Sequence, residues 1–287
     1  MPYPHIIHHG AINGVTGSCH QLHMDAQSSL LIDCGIFQGN ESAAGDRARQ
    51  IEFSIQGIEA LIVTHVHADH IGRIPYLLAA GYEGPIICSE PSAKLLPLVL
   101  EDAFKLEFSR DTRTLDRYLQ RVQKQTVAVP FGQWFPISQS DALQARIRLQ
   151  RAGHILGSAC VECDLTYPQI ALNQRIVFSG DLGAPNTPLL RGPQSPERAD
   201  ILILESTYGD RLHEDRKTRQ HYLIFRNHSV ERSERSILQR THQEMKYTHY
   251  FQPKLYNYGN QGNHNHRQNS KQRAPRKQQE EIKVDFY

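Results

Sequence analysis

Residues His65-Val66-His67-Ala68-Asp69-His70 pack four metal-ligating side chains into six positions, directly after the apolar run Ala60-Leu61-Ile62-Val63-Thr64. That run of β-branched and aliphatic residues reads as a buried strand. A strand ending in such a cluster delivers its ligands at the rim of a rigid sheet, where a hydrolytic metal site is best supported. His65 and His67 alternate along an extended chain, so they project to one side and can share one ion. Asp69 and His70 follow at the mouth of the next helix and can serve a second ion close by. Gly72 lets the backbone pass near the site.

More ligand types stand at other strand ends. His154 lies in Ala152-Gly153-His154-Ile155-Leu156-Gly157-Ser158-Ala159, just after a strand at 145–149. Asp181 lies in Ser179-Gly180-Asp181-Leu182-Gly183, after a strand ending at 178, and its two carboxylate oxygens could bridge two ions. Asp33, in Leu30-Leu31-Ile32-Asp33-Cys34-Gly35, is a third strand-end acid. Such a carboxylate can fix a ligand histidine through its far nitrogen, although an aspartate at a strand end is also a routine turn residue.

The 287 residues allow one large domain or two small ones. No run approaches the ~18 apolar residues of a membrane-spanning helix. The N-terminus lacks the basic and apolar segments of a secretory signal, so a cytoplasmic location is expected. The five cysteines, Cys19, Cys34, Cys88, Cys160 and Cys163, are odd in number and scattered, which argues against a disulfide framework. Cys160 and Cys163 form a CxxC without a second pair. Their spacing puts them on opposite faces of a strand, and reduced, structural cysteines are expected.

Periodicity predicts strands at 29–32, 60–63, 86–88, 145–149, 159–165, 175–178 and 201–204, and helices at 71–80, 92–108 and 114–125. Sheets covered by helices, an α/β layered architecture, follow. The pattern stops near Thr218. Residues 1–219 carry 20 Lys and Arg against 24 Asp and Glu, whereas residues 220–287 carry 12 against 6. The second segment is rich in Asn, Gln, His, Arg and Tyr and lacks sustained periodicity, so a disordered, low-complexity tail is expected there. Its basic balance could also contact nucleic acid through phosphates.

Asp33, HVHADH, AGHILGSA and FSGDLG, in this order, resemble the metallo-β-lactamase superfamily. Glu205-Ser206-Thr207-Tyr208-Gly209 resembles the first motif of its β-CASP branch, the nucleic-acid-processing hydrolases that include ribonuclease J-like and 3′-end-processing nucleases. The resemblance covers roughly residues 5–219, and its fold is an αββα sandwich, here incomplete. It implies that His65, His67 and His154 hold one zinc ion and that Asp69 and His70 hold a second, with Asp181 shared. A metal-bridged hydroxide would attack an RNA or DNA phosphodiester. Asp69 would orient or deprotonate that water, Glu205 would assist proton transfer near the leaving group, and Asp33 would act behind the ligands.

Members of the branch continue well past this motif with an inserted second domain and a late ligand histidine. Here no comparable pattern follows Thr218. The chain therefore reads as truncated within or before that domain, with the second ion weakly held, the cleft open and apolar surface exposed. An out-of-frame tail would explain the abrupt change, and resequencing the gene across that point tests it. Two alternatives stand beside the nuclease. One is hydrolysis of a small ester, thioester or lactone. The other is an inactive remnant that binds metal or RNA without turnover.

Overall fold

The computed structural model describes residues 3–39, 50–107, 111–185, 187 and 189–209. The tail expected at 220–287 lies outside them. The described residues build two β-sheets.

The first sheet has the order β1-β2-β3-β4-β5-β6, formed by β1 His5–His8, β2 His20–His23, β3 Ser29–Ile32, β4 Ile58–Ile62, β5 Ile86–Ser89 and β6 Thr126–Val129. The pairs β1–β2 and β2–β3 are antiparallel, and the pairs from β3 to β6 are parallel. The second sheet has the order β11-β10-β9-β8-β7, from β7 Trp134–Gln139, β8 Gln144–Arg151, β9 Ala159–Tyr167, β10 Leu172–Phe178 and β11 Ile201–Ile203. It is antiparallel except for the β10–β11 pair.

Strand alternation separates two cores. Leu30, Ile32, Ala60, Ile62 and Ile87 point to the second sheet and meet Ile147, Leu149, Val161, Cys163, Ile176 and Phe178. Leu31, Leu61, Val63, Ile86 and Cys88 point the other way, against Ile71, Ile74, Leu77, Leu96, Leu100 and Val122. Those partners come from four helices: α1 Ala68–Ile71, α2 Ile74–Ala79, α3 Glu90–Glu107 and α4 Thr112–Gln125. Strands buried on both faces show continuous apolar runs, which is why β3, β4 and β5 are legible in the sequence.

The second sheet is different. Its inner face is apolar, but Glu162 and Asp164 of β9 turn outward. Arg148 pairs with Glu162 at 2.9 Å, and Arg146 and Arg175 reach Asp164 at 2.8 and 3.3 Å. The same three guanidinium groups lie 4.5–5.0 Å from the Trp134 ring, a favourable cation–π distance. Among the described residues no helix covers this face, so the layers are helix, sheet, sheet. Among the described residues, Leu204, just after β11, is 56% exposed.

Two expectations need correction. The helix expected at 71–80 is two short helices. Gly72 closes the first, its N–H bonding Ala68 O at 2.7 Å, and Pro75 opens the second. A Cβ at Gly72 would stand 2.6 Å from that carbonyl and 2.7 Å from Ile36, so the chain turns there only without a side chain. Strands β1, β2, β6 and β7 were not expected. In β7, Pro136 argues against a strand, yet it lies beside a bulge on the sheet edge, where a missing N–H costs no interior ladder bond. The five cysteines are buried and unpaired. Cys163 faces the inter-sheet core, and Cys160 turns to the opposite face of β9.

Phe178→Ala should destabilise the protein by about 3–5 kcal/mol through the inter-sheet cavity it leaves, whereas Ile170→Ala, at a largely exposed position, should stay within about 0.5 kcal/mol. Chemical denaturation of both variants measures the contrast.

Candidate metal centre

The side chains singled out in the sequence come from the ends of both sheets, on one rim. His65 and His67 follow β4, and His67 is the residue preceding α1. His154 follows β8, Asp181 follows β10 and Glu205 follows β11. One donor atom from each of His65, His67, His154 and Asp181 lies within 4.8 Å of the others. His67 contributes Nδ1, which stands 3.0 Å from His65 Nε2 and 3.2 Å from His154 Nε2. Asp181 Oδ2 is 3.9 Å from His65 Nε2 and 3.5 Å from His154 Nε2. Its other oxygen, Oδ1, is 3.2 Å from His70 Nε2. Asp181 thus faces two sets of donors with its two oxygens. Asp69 is buried in α1, and its charge raises the pKa of His67 and His154 against the burial that lowers both.

Asp33 organises the back of this cluster. It follows β3 with φ of +60°, a left-handed conformation that aspartate tolerates better than most residues. Its Oδ1 accepts the Thr64 N–H at 2.8 Å. Its Oδ2 accepts the Thr64 hydroxyl at 2.8 Å and His70 Nδ1–H at 2.7 Å. A carboxylate only accepts, so these contacts fix the donors. His70 gives its Nδ1 proton to Asp33 and, in the charged ring, its Nε2–H to Asp181 Oδ1 at 3.2 Å, so that loss of this second proton leaves the Nε2 lone pair for an ion. The Thr64 oxygen, having given its proton away, accepts from His65 Nδ1 at 3.1 Å, which frees His65 Nε2. One buried acid therefore sets the tautomer of two histidines.

The loops carrying the other groups are held by serines. Ser158 Oγ accepts the N–H of His154 at 2.9 Å and of Ile155 at 3.2 Å. Ser179 Oγ accepts the N–H of Glu205 at 3.0 Å, and Glu205 Oε1 accepts the N–H of Leu182 at 2.6 Å. Glu205 therefore clamps the turn that presents Asp181. A Cβ on Gly183 would come 1.8 Å from Gly153 O, so glycine is required where the His154 and Asp181 turns meet. Thr64, Ser158 and Ser179 were not singled out from the sequence. Ser158 and Ser179 lie inside the quoted motifs, and their position beside a ligand was the available signal.

Burial lowers the pKa of His65 strongly and of His154, and it brings His67 down to about 4. Burial pushes His70 the same way, but Asp33 and Asp181 outweigh it and hold its pKa well above the usual value. Burial would raise Asp181, and the hydrogen bond and charge of His70 more than reverse this. The neutral imidazoles of His65, His67 and His154 around the ionised Asp181 carboxylate are the donor set of a divalent cation such as zinc, so these residues fit a metal ion.

What the fold and the rim define is a cluster of donors that could hold a metal ion, carried between the strand ends of a two-sheet sandwich. The chain belongs to the metallo-beta-lactamase superfamily, whose family model matches residues 24–222. It is 34% identical over 210 residues to ribonuclease TTHA0252 of Thermus thermophilus, a match covering 72% of this chain and 44% of the relative. It is 30% identical over 227 residues to transcription termination factor FttA of Methanococcus maripaludis, covering 75% and 34% respectively. Against Integrator complex subunit 11 of Danio rerio the identity is 27% over 243 residues, covering 80% and 38%. The chain thus spans less than half the length of these relatives, and their names agree with the nucleic-acid-processing branch that the motifs resemble.

The shifts predict that acidification releases a bound cation. A proton on His70 is held more tightly than on an ordinary histidine, whereas His65, His67 and His154 take protons only further down, His67 near 4. Metal content measured over a pH series should fall as these rings charge, and undiminished content through that range would contradict their assignment as donors.

Proposed function

We propose that this chain is the catalytic core of a zinc-dependent ribonuclease acting on RNA phosphodiesters. The observation that carries the reading is the convergence of His65, His67, His154 and Asp181 donors within 4.8 Å, with His70 on the second oxygen of Asp181. In this reading His65, His67 and His154 hold one zinc ion, Asp69 and His70 hold a second, and Asp181 is shared. Zinc bound there would supply Lewis acidity toward phosphoryl oxygens and bring the pKa of water toward neutrality.

The chain's own groups do the rest. Asp69, buried in α1 two residues after His67, orients the attacking water and takes its proton. Asp33 keeps His70 and His65 in the tautomers that offer Nε2. Glu205 stands beside Asp181 on the same rim and assists the proton needed by the leaving oxygen. Its Oε1 is already engaged with Leu182 N–H, which leaves Oε2 for that role. The ribonuclease relative, at 34% identity, favours RNA over a small ester or lactone.

His67→Ala removes the Nδ1 donor at the centre of the first set. RNA cleavage should fall by more than the 10- to 100-fold typical of groups behind the ligands, and metal analysis should drop from two zinc ions per chain. Undiminished RNA cleavage by this variant would refute the proposal. Turnover of thioesters or lactones without RNA cleavage would move the assignment to small-molecule hydrolysis.

A further inference from the structure

The hydrogen bonds around Asp33 continue away from the cluster. The Ser18 hydroxyl lies 3.3 Å from Asp33 Oδ2. Ser18 Oγ is 3.5 Å from His20 Nε2, and His20 Nδ1 is 2.8 Å from His8 Nδ1. The β1–β2 register places His8 directly opposite His20. A chain of polar groups therefore runs from the first hairpin, through its interior end, to the acid behind the metal centre.

Its direction is dictated from the acid. Asp33 accepts, so Ser18 gives it its only proton. The Ser18 oxygen must then accept from His20 Nε2–H. A neutral imidazole has one N–H, so His20 Nδ1 accepts, and His8 Nδ1–H donates. Burial keeps both rings neutral, with the His20 pKa down to about 3 and that of His8 lowered. The His20 ring stacks near Phe178 in the inter-sheet core, centroids 6.0 Å apart. An apolar side chain would fill that space without burying polar atoms, whose desolvation is costly unless every one is matched.

We propose that Ser18, His20 and His8 are positioning residues for the metal centre: they hold Asp33 Oδ2 in the orientation that takes the Nδ1 proton of His70 and leaves Nε2 to the second ion. This rests on the metal reading given above. Ser18 is the weak joint, because its contacts at 3.3 and 3.5 Å are the longest in the chain.

The test uses the full chain and two measurements. A long-range proton–nitrogen correlation spectrum of the imidazole rings, recorded without metal, reads the tautomers directly. His20 should carry its proton on Nε2 and His8 on Nδ1. Cobalt(II) titration then follows both ions by absorption. Ser18→Ala and His20→Leu should each weaken the second ion about 10-fold while the first stays within about two-fold, and Ser18→Thr, which keeps the hydroxyl, should restore it. A His20 proton on Nδ1, or unchanged second-ion affinity in both variants, would overturn the proposal. Equal weakening of both ions would also overturn it, since general loosening gives that result. An unsubstituted chain that binds no cobalt would instead overturn the metal reading, and the positioning role with it.

Discussion

One buried carboxylate ties this rim together. Asp33 takes the backbone N–H and hydroxyl of Thr64 and the Nδ1 proton of His70, and so couples the ends of β3 and β4 to the first turn of α1. Each contact removes a freedom that metal ligation cannot tolerate: the path of the chain after β4, the rotation of the His70 ring, and the choice of protonated nitrogen. A hydrogen bond to an ionised acceptor is stronger than a neutral one, and here these three donors, with the more distant Ser18 hydroxyl, converge on a group shielded from water. The left-handed backbone at Asp33 follows from the same demand, since the chain must turn sharply at the strand end to point the carboxylate inward.

The candidate ligands were visible because they sit in short, dense patterns at the ends of apolar runs, and the strands that carry them are buried on both faces or alternate cleanly. His154, Asp181 and Glu205 were readable one by one, yet their meeting depends on the register of β8, β9, β10 and β11, which no local pattern encodes. Thr64 illustrates what was hidden. A threonine closing a β-branched run looks like one more strand residue, and only the approach of Asp33 and His65 gives its hydroxyl a task. Strands β1 and β2 escaped notice for a related reason. Four of their eight residues are histidines, and two of those, His8 and His20, share the inward face with Ile6 and Leu22, so polar rings stand where periodicity looks for aliphatic ones. The helix after His70 was read as continuous because Gly72 and Arg73 do not interrupt the apolar period, although the close packing of Gly72 on Ile36 does interrupt the helix.

The two sheets solve the problem of their outer faces by different means. The first is sealed by helices, so its strands are aliphatic throughout. The second turns charged groups outward, and Glu162 is fully buried under arginines and the Trp134 ring. Buried ion pairs of this type contribute little net stability compared with apolar packing, but they make a sheet face compatible with water where, among the described residues, no helix covers it.

The rim draws His65, His67, His70 and Asp33 from one sheet and His154, Asp181 and Glu205 from the other. A cation held there would clip the two halves of the sandwich at one end, and its binding energy would be shared with the folding of both. The converse also follows. The spacing between the sheets is set by the side chains filling the space between them, so a change of a methyl group deep in that layer alters the span the ligands must bridge. Affinity for the ion is then a property of the packing behind it as much as of the nitrogens and oxygens that touch it.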